Sequence, residues 1–154
     1  MTLTPFARDF VEMLSELSAA NAEFLIVGGH ARAAYGEPRM TKDLDIWVRA
    51  SKENAEKVWS ALIRFGAPLQ GITPDDFATP GITLQIGLAP YRIDILTEIT
   101  GVTFEEAWSR RTEAEFAGAK YPVIGKHDFM VNKRATGRPQ DLADLAHLEK
   151  SPLQ

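Results

Sequence analysis

A single α/β domain, with a mixed β-sheet flanked by helices, is the fold class that this sequence predicts. Three observations predict it. Runs of strand length, apolar or alternating, take turns along the chain with segments whose apolar residues recur at helical spacing. Gly and Pro punctuate the joints between these segments instead of gathering into a linker. The 154 residues also match one domain, which is assigned to 1–154 as a whole.

The elements follow in order. Phe6, Phe10, Met13, Leu14 and Leu17 lie on one helical face, so Pro5 to about Ala20 is expected as an amphipathic helix. Thr4 is its cap and Pro5 its first residue. Phe24 to Val27 is apolar throughout and too short for a helix, which predicts a buried strand ending at Gly28-Gly29. A short helix from His30 to Tyr35 is closed by Gly36 and Pro38. Asp43 to Val48 alternates with the period of a strand. Ser51 opens a helix whose apolar positions are Ala55, Val58, Trp59, Leu62 and Ile63, and Gly66 stops it. A loop rich in Gly, Pro and Asp runs from Ala67 to Pro80.

Ile82 to Ile86 and Tyr91 to Leu96 are expected as paired strands joined by Gly87 to Pro90. Thr103 and Glu106 form a capping-box pattern for a short helix through Arg110. Glu113 to Val123 is a hairpin turning at Ala117-Gly118. Two closing helices, His127 to Thr136 and Pro139 to Lys150, are separated by Gly137. The sequence shows no internal repeat.

Composition narrows the function classes. With 17 basic against 21 acidic side chains the net charge is -4, which does not suggest a general nucleic-acid-binding surface. The absence of cysteine excludes disulfides, thiolate metal sites and cysteine nucleophiles. The first residues lack the pattern of a secretory signal, and no apolar run approaches roughly 18 residues. The expected location is the cytoplasm, with no membrane partner.

Strands usually avoid Asp, so three acids stand out. Asp43 and Asp45 are two apart and project from one face of a strand, while Leu44, Ile46 and Val48 point to the other. Asp94 sits between apolar neighbours in Arg92-Ile93-Asp94-Ile95. If the two strands are neighbours, three carboxylates converge. Such a group must either hold protons or bind a cation, and a hard divalent ion such as magnesium or manganese suits oxygen ligands. Ahead of them, Val27-Gly28-Gly29-His30 places two glycines between a strand and a helix start, which lets a phosphate come close to the backbone.

Residues 30 to 42 separate Gly29 from Asp43, a gap of thirteen positions. Apolar-Gly-Gly, this gap, Asp-x-Asp on a strand and a third acid on a later strand together resemble the nucleotidyltransferase superfamily. The nearest style is that of the AbiEii-type and minimal nucleotidyltransferases of bacterial toxin–antitoxin systems. Most of the likeness is carried by Phe24-Leu-Ile-Val-Gly-Gly-His-Ala-Arg-Ala-Ala-Tyr-Gly and by Arg39-Met-Thr-Lys-Asp-Leu-Asp-Ile. Lys133 and Arg138-Pro-Gln-Asp-Leu-Ala-Asp-Leu145 resemble the C-terminal motif of AbiEii-type proteins.

The resemblance implies a nucleotidyltransferase-like fold and transfer of a nucleoside monophosphate from a nucleoside triphosphate to an acceptor hydroxyl. It makes Asp43 and Asp45 ligands of the metal that accompanies the triphosphate. Asp94 helps to hold a second metal and activates the hydroxyl. Gly28, Gly29 and His30 contact the nucleotide, and Lys133 reaches its phosphates. The acceptor, whether RNA, protein or small molecule, is left open, as is a toxin or antitoxin partner. Two features depart from the pattern. His30 stands where many members carry serine or threonine, and within these 154 residues no sizeable extra domain for gripping an acceptor is expected. The alternative function is a nucleotidyltransferase-fold protein with little catalysis that binds a partner protein or a nucleotide.

Several residues have plainer readings. Trp47 shares the face of Asp43 and Asp45 and is expected to pack. Arg39 and Arg92 are expected to balance the acids at least as much as to meet phosphate. His127 and His147 read as capping and surface residues. Asp141 and Asp144, three apart on a helix, read as salt-bridge partners of nearby Lys133, Arg134 or Arg138.

Overall fold

The computed structural model describes residues 8–34, 43–87, 91–139, 142–143 and 145–146. Helix α1, Arg8–Ala19, buries the predicted stripe of Phe10, Met13, Leu14 and Leu17. Its expected start at Thr4-Pro5 lies outside the described residues, as do Tyr35, Gly36, Pro38 and Arg39. Strand β1, Phe24–Val27, is buried at every position, and helix α2, Gly28–Ala34, follows it without a connecting residue. Both glycines therefore belong to the first turn of α2, two residues earlier than expected. Strand β2 is Asp43–Val48.

Helix α3, Lys52–Phe65, is capped by Ser51, whose hydroxyl accepts from the Asn54 amide, and ends at Gly66 in the left-handed conformation. The loop after it holds an unpredicted 3-10 helix at Pro74–Ala78, which buries Phe77 against Trp59. Its start was marked in the sequence: Thr73, Pro74 and Asp76 form a capping box with proline in the first turn. Strands β3, Thr83–Ile86, and β4, Arg92–Leu96, pair antiparallel as expected. Helix α4, Phe104–Ser109, carries the predicted Thr103–Glu106 box and stops one residue early.

Strands β5, Thr112–Phe116, and β6, Ala119–Val123, form the expected hairpin. Ala117 and Gly118 both have positive φ, as a two-residue hairpin turn of this twist requires. Helix α5 spans Lys126–Thr136. Beyond it Pro139, Leu142, Ala143, Leu145 and Ala146 are helical and Leu145 is buried. Asp141, Asp144 and His147 lie outside the described residues, and His127 is exposed. Among the described residues no helix is long and apolar enough to cross a membrane.

The six strands form one mixed sheet in the order β3-β4-β2-β1-β6-β5. β1 runs antiparallel to β2 and parallel to β6, while β2 runs parallel to β4. The C-terminal ends of β1 and β6 therefore lie at the same edge of the sheet as the N-terminal ends of β2 and β4. Leu44, Ile46 and Val48 share one face with Ile93 and Ile95, and all five are buried in the core that includes α1 and α3. The opposite face carries Asp43, Asp45 and Trp47 on β2, with Arg92, Asp94 and Leu96 beside them on β4.

At the other edge, Asn54 braces the sheet. This side chain is 4% exposed, accepts from the Glu23 amide at 2.7 Å and donates to the carbonyls of Glu23 and Arg49 at 3.0 Å each. It thereby ties the start of β1 and the end of β2 to the first turn of α3. Arg49 adds ion pairs to Glu23 and Glu105 and lies over the Phe104 ring. Asn54→Ala should cost about 2–3 kcal/mol, because three backbone groups lose their partner in a buried place. Asn54→Asp, which keeps the shape but cannot donate, should lose a comparable amount. Urea denaturation checks both, and a loss below about 0.5 kcal/mol would refute the brace.

Candidate active site

Asp45 and Asp94 are register partners on adjacent parallel strands, and Asp43 stands opposite Arg92 one step toward the sheet edge. Strand spacing of about 4.8 Å sets the carboxyls of Asp45 and Asp94 side by side. All three expected acids thus share one face at one edge. Asp94 is the most sheltered, with its side chain 11% exposed, while that of Asp43 is 44% exposed.

Among the described residues, Arg92 pairs with two of the three acids. Arg92 donates from Nε to Asp94 Oδ1 at 2.9 Å and from one terminal nitrogen to Asp94 Oδ2 at 3.2 Å. The same nitrogen reaches Asp43 Oδ2 at 3.2 Å. Asp45 keeps the remaining strain. Burial, then the charge of Asp94, then that of Asp43 push its carboxyl up from 3.8 to about 7, and the protonated form bonds to Asp94. Asp45 therefore holds its proton to near neutral pH.

Gly28 is shaped by the same carboxyl. Its φ is +69°, and a Cβ there would stand 2.2 Å from Asp45 Oδ2. Two separate reasons, conformation and contact, thus exclude a side chain at this position. Gly29 continues the helix beside it. His30 turns inward: it is 5% exposed and meets Phe10 edge-on at 5.6 Å and Phe116 at 6.3 Å. Burial lowers its pKa to about 4, so the ring is neutral at pH 7. The ring thus faces the aromatic side chains of Phe10 and Phe116.

Trp47 continues the face of the acids but is 2% exposed and packs edge-on against Phe104 at 5.0 Å. It is a packing residue, as expected. Lys133 sits on the last turn of α5 with its ammonium 5.4 Å from the Phe129 ring centre. Arg92 balances the acids, as expected, and its grip on two of them follows from the strand register. Lys126 drew no attention in the sequence. It is 6% exposed and opens α5 just past β6, at the edge where β1 gives way to Gly28.

Hard oxygen donors crowded on one face fit a divalent cation, and the value at Asp45 is raised by burial first and by its acidic neighbours second. Among the described residues, no three His, Asp or Glu side chains are already arranged to share a metal ion. Arg92 occupies both oxygens of Asp94 and one of Asp43. Asp43, Asp45 and Asp94 remain the residues that would hold such an ion.

Two measurable consequences follow from this geometry. Gly28→Ala should lose about 1–3 kcal/mol, because it must either strain the backbone or push Asp45 aside; unchanged stability by urea denaturation would contradict the close contact. The second consequence concerns pH. The folded-state value of Asp45 lies above that of the unfolded chain, so stability falls as pH rises from 3.8 to about 7 and stays low above it. At roughly 1.4 kcal/mol per tenfold the penalty is at most ~4 kcal/mol. Asp45→Asn should therefore be more stable than the wild type by ~1–3 kcal/mol at about pH 8 and lose much of the slope above about pH 5. Parallel pH profiles for the two proteins would show that the proton lies elsewhere.

No family model and no curated protein matches the sequence. Solved structures do match in three dimensions. One is LnuA, a lincosamide antibiotic adenylyltransferase with lincomycin bound, at a TM-score of 0.60 and 15% identity, covering 93% of this chain and 96% of that one. Another is TM1012 from Thermotoga maritima, described as a candidate nucleotidyltransferase, at a TM-score of 0.61 and 14% identity, covering 97% and 94%. At such identities the likeness is one of fold. A single α/β domain with a mixed six-stranded sheet flanked by helices, this chain has the fold of the nucleotidyltransferases it resembles.

Proposed function

We propose that the protein transfers a nucleoside monophosphate from a nucleoside triphosphate to an acceptor hydroxyl. The observation that carries the reading is the register pair Asp45–Asp94, with Asp43 beside it, at the edge where Gly28 follows β1. Carboxylates set so close raise their own energy, and a fold keeps them together where they are used. The two fold neighbours support the choice of chemistry.

In this reading the acceptor oxygen attacks the α-phosphorus, the bond from that phosphorus to the bridging oxygen breaks, and pyrophosphate leaves. Asp94 takes the acceptor's proton. Gly28 and Gly29 give the triphosphate room against the backbone, together with the His30 amide, and Lys133 supplies a positive charge to it. Asp43, Asp45 and Asp94 would hold magnesium or manganese, which when bound neutralises the triphosphate and the charge that builds up during transfer. LnuA acts on an antibiotic, so a small molecule stands as an acceptor class beside RNA and protein. The AbiEii-like resemblance favours a toxin–antitoxin setting, with a toxin or antitoxin as partner.

A specific observation favours a second reading. Arg92 already neutralises Asp94 and Asp43, as it would in a protein that binds a nucleotide or a partner without turning it over. Incubation with labelled triphosphates and magnesium, scored for pyrophosphate release, separates the two. The transfer reading expects release that falls at least ~100-fold in Asp45→Asn. Nucleotide binding without release, by wild type and variant alike, would favour the second.

A further inference from the structure

One guanidinium holds carboxylates on two strands. Arg92 and Asp94 are two apart on β4 and share a face, and Arg92 is the register partner of Asp43 on β2. Its fork engages both oxygens of Asp94, and its shared nitrogen bridges to Asp43. A planar fork makes this bidentate contact in a way an ammonium cannot. The Arg92 side chain is 36% exposed, against 11% for Asp94 and 44% for Asp43, so the arginine is more open to solvent than the acid it forks. The oxygens it occupies are those that a cation shared between Asp94 and Asp43 would need.

We propose that Arg92 is an exchangeable counter-cation of this site, a positioning residue that also becomes a ligand of the substrate. Without metal it holds Asp94 and Asp43 against their mutual repulsion. When a divalent cation takes those oxygens, the guanidinium moves to the triphosphate, whose oxygens suit the same fork. A cation arriving alone must expel Arg92 and leave it without its carboxylates, so it binds weakly. A cation arriving with the triphosphate brings the anion that receives the arginine. Metal and nucleotide therefore load together, and the coupling works equally in both directions. The inference rests on the nucleotidyl-transfer reading of the site.

The test uses the whole chain and follows binding instead of turnover. Manganese alone is titrated calorimetrically into wild type, Arg92→Gln, Arg92→Lys and Asp45→Asn, then again with a triphosphate analogue whose α,β bridge cannot be cleaved. Arg92→Gln should bind manganese alone about tenfold tighter than the wild type, and the tightening that the analogue brings should shrink by a similar factor. Arg92→Lys, which keeps the charge and loses the fork, should fall between them, and it carries the comparison if the glutamine variant fails to fold. Unchanged or weaker manganese affinity in folded Arg92 variants, with binding still lost in Asp45→Asn, would overturn the exchange alone. Manganese binding that survives in Asp45→Asn, or is absent from the wild type even with the analogue, would overturn both the exchange and the site it rests on.

Discussion

Two carboxyl groups facing each other across neighbouring parallel strands set the terms for everything around them. Asp45 and Asp94 are held about one strand spacing apart by a hydrogen-bonded ladder, and the ladder leaves them no room to separate. The surroundings answer this repulsion in three ways. Asp45 keeps a proton to near neutrality, Arg92 grips Asp94 and Asp43, and Gly28 gives up its side chain so that the Asp45 carboxyl has a place to stand. Each answer belongs to a different element, so the edge of the sheet behaves as one unit.

The rest of the molecule supplies the stiffness that this arrangement needs. The face of β2 and β4 opposite the acids is closed by Ile46, Ile93, Ile95 and the helices of the core. Toward the other end of β2, Trp47 packs against Phe104, Phe104 stacks on Trp108, and Arg111 lies over that indole. The Asn54 side chain ties the same region to α3 through three hydrogen bonds with backbone groups. A one-residue slip of β2 against β4 would turn the acids into the core and Leu44 and Ile46 out to solvent, so register and hydrophobic pattern enforce each other.

Past β6, a second charged cluster anchors α5. Arg110 forks onto Asp128, which is 1% exposed, and a Cβ on Gly125 would come within 2.6 Å of the Arg110 carbonyl. This pair fixes where α5 leaves the sheet and therefore where Lys126 begins. A buried carboxylate with a bidentate arginine is a costly way to anchor a helix unless the geometry is held closely, and here both its oxygens are satisfied.

The sequence by itself determined the elements and the side of β2 on which Asp43 and Asp45 lie. Periods of 2 and 3.6, caps such as Ser51 and Thr103, and stops such as Gly66 and Gly137 are local, and local chemistry is written in neighbouring residues. The 3-10 helix at Pro74–Ala78 was also local, whereas Gly28 at the early start of α2 folds against Asp45 on another strand. Tertiary structure decided what local pattern does not encode. It set β4 beside β2 so that Asp94 meets Asp45 and not open solvent, and it gave Arg92 two acids instead of one. It turned the His30 ring into the aromatic core, and it buried Lys126 at the edge the acids occupy. Those outcomes depend on strand order and register between segments some fifty residues apart, and contacts at that separation arise only when the chain has closed.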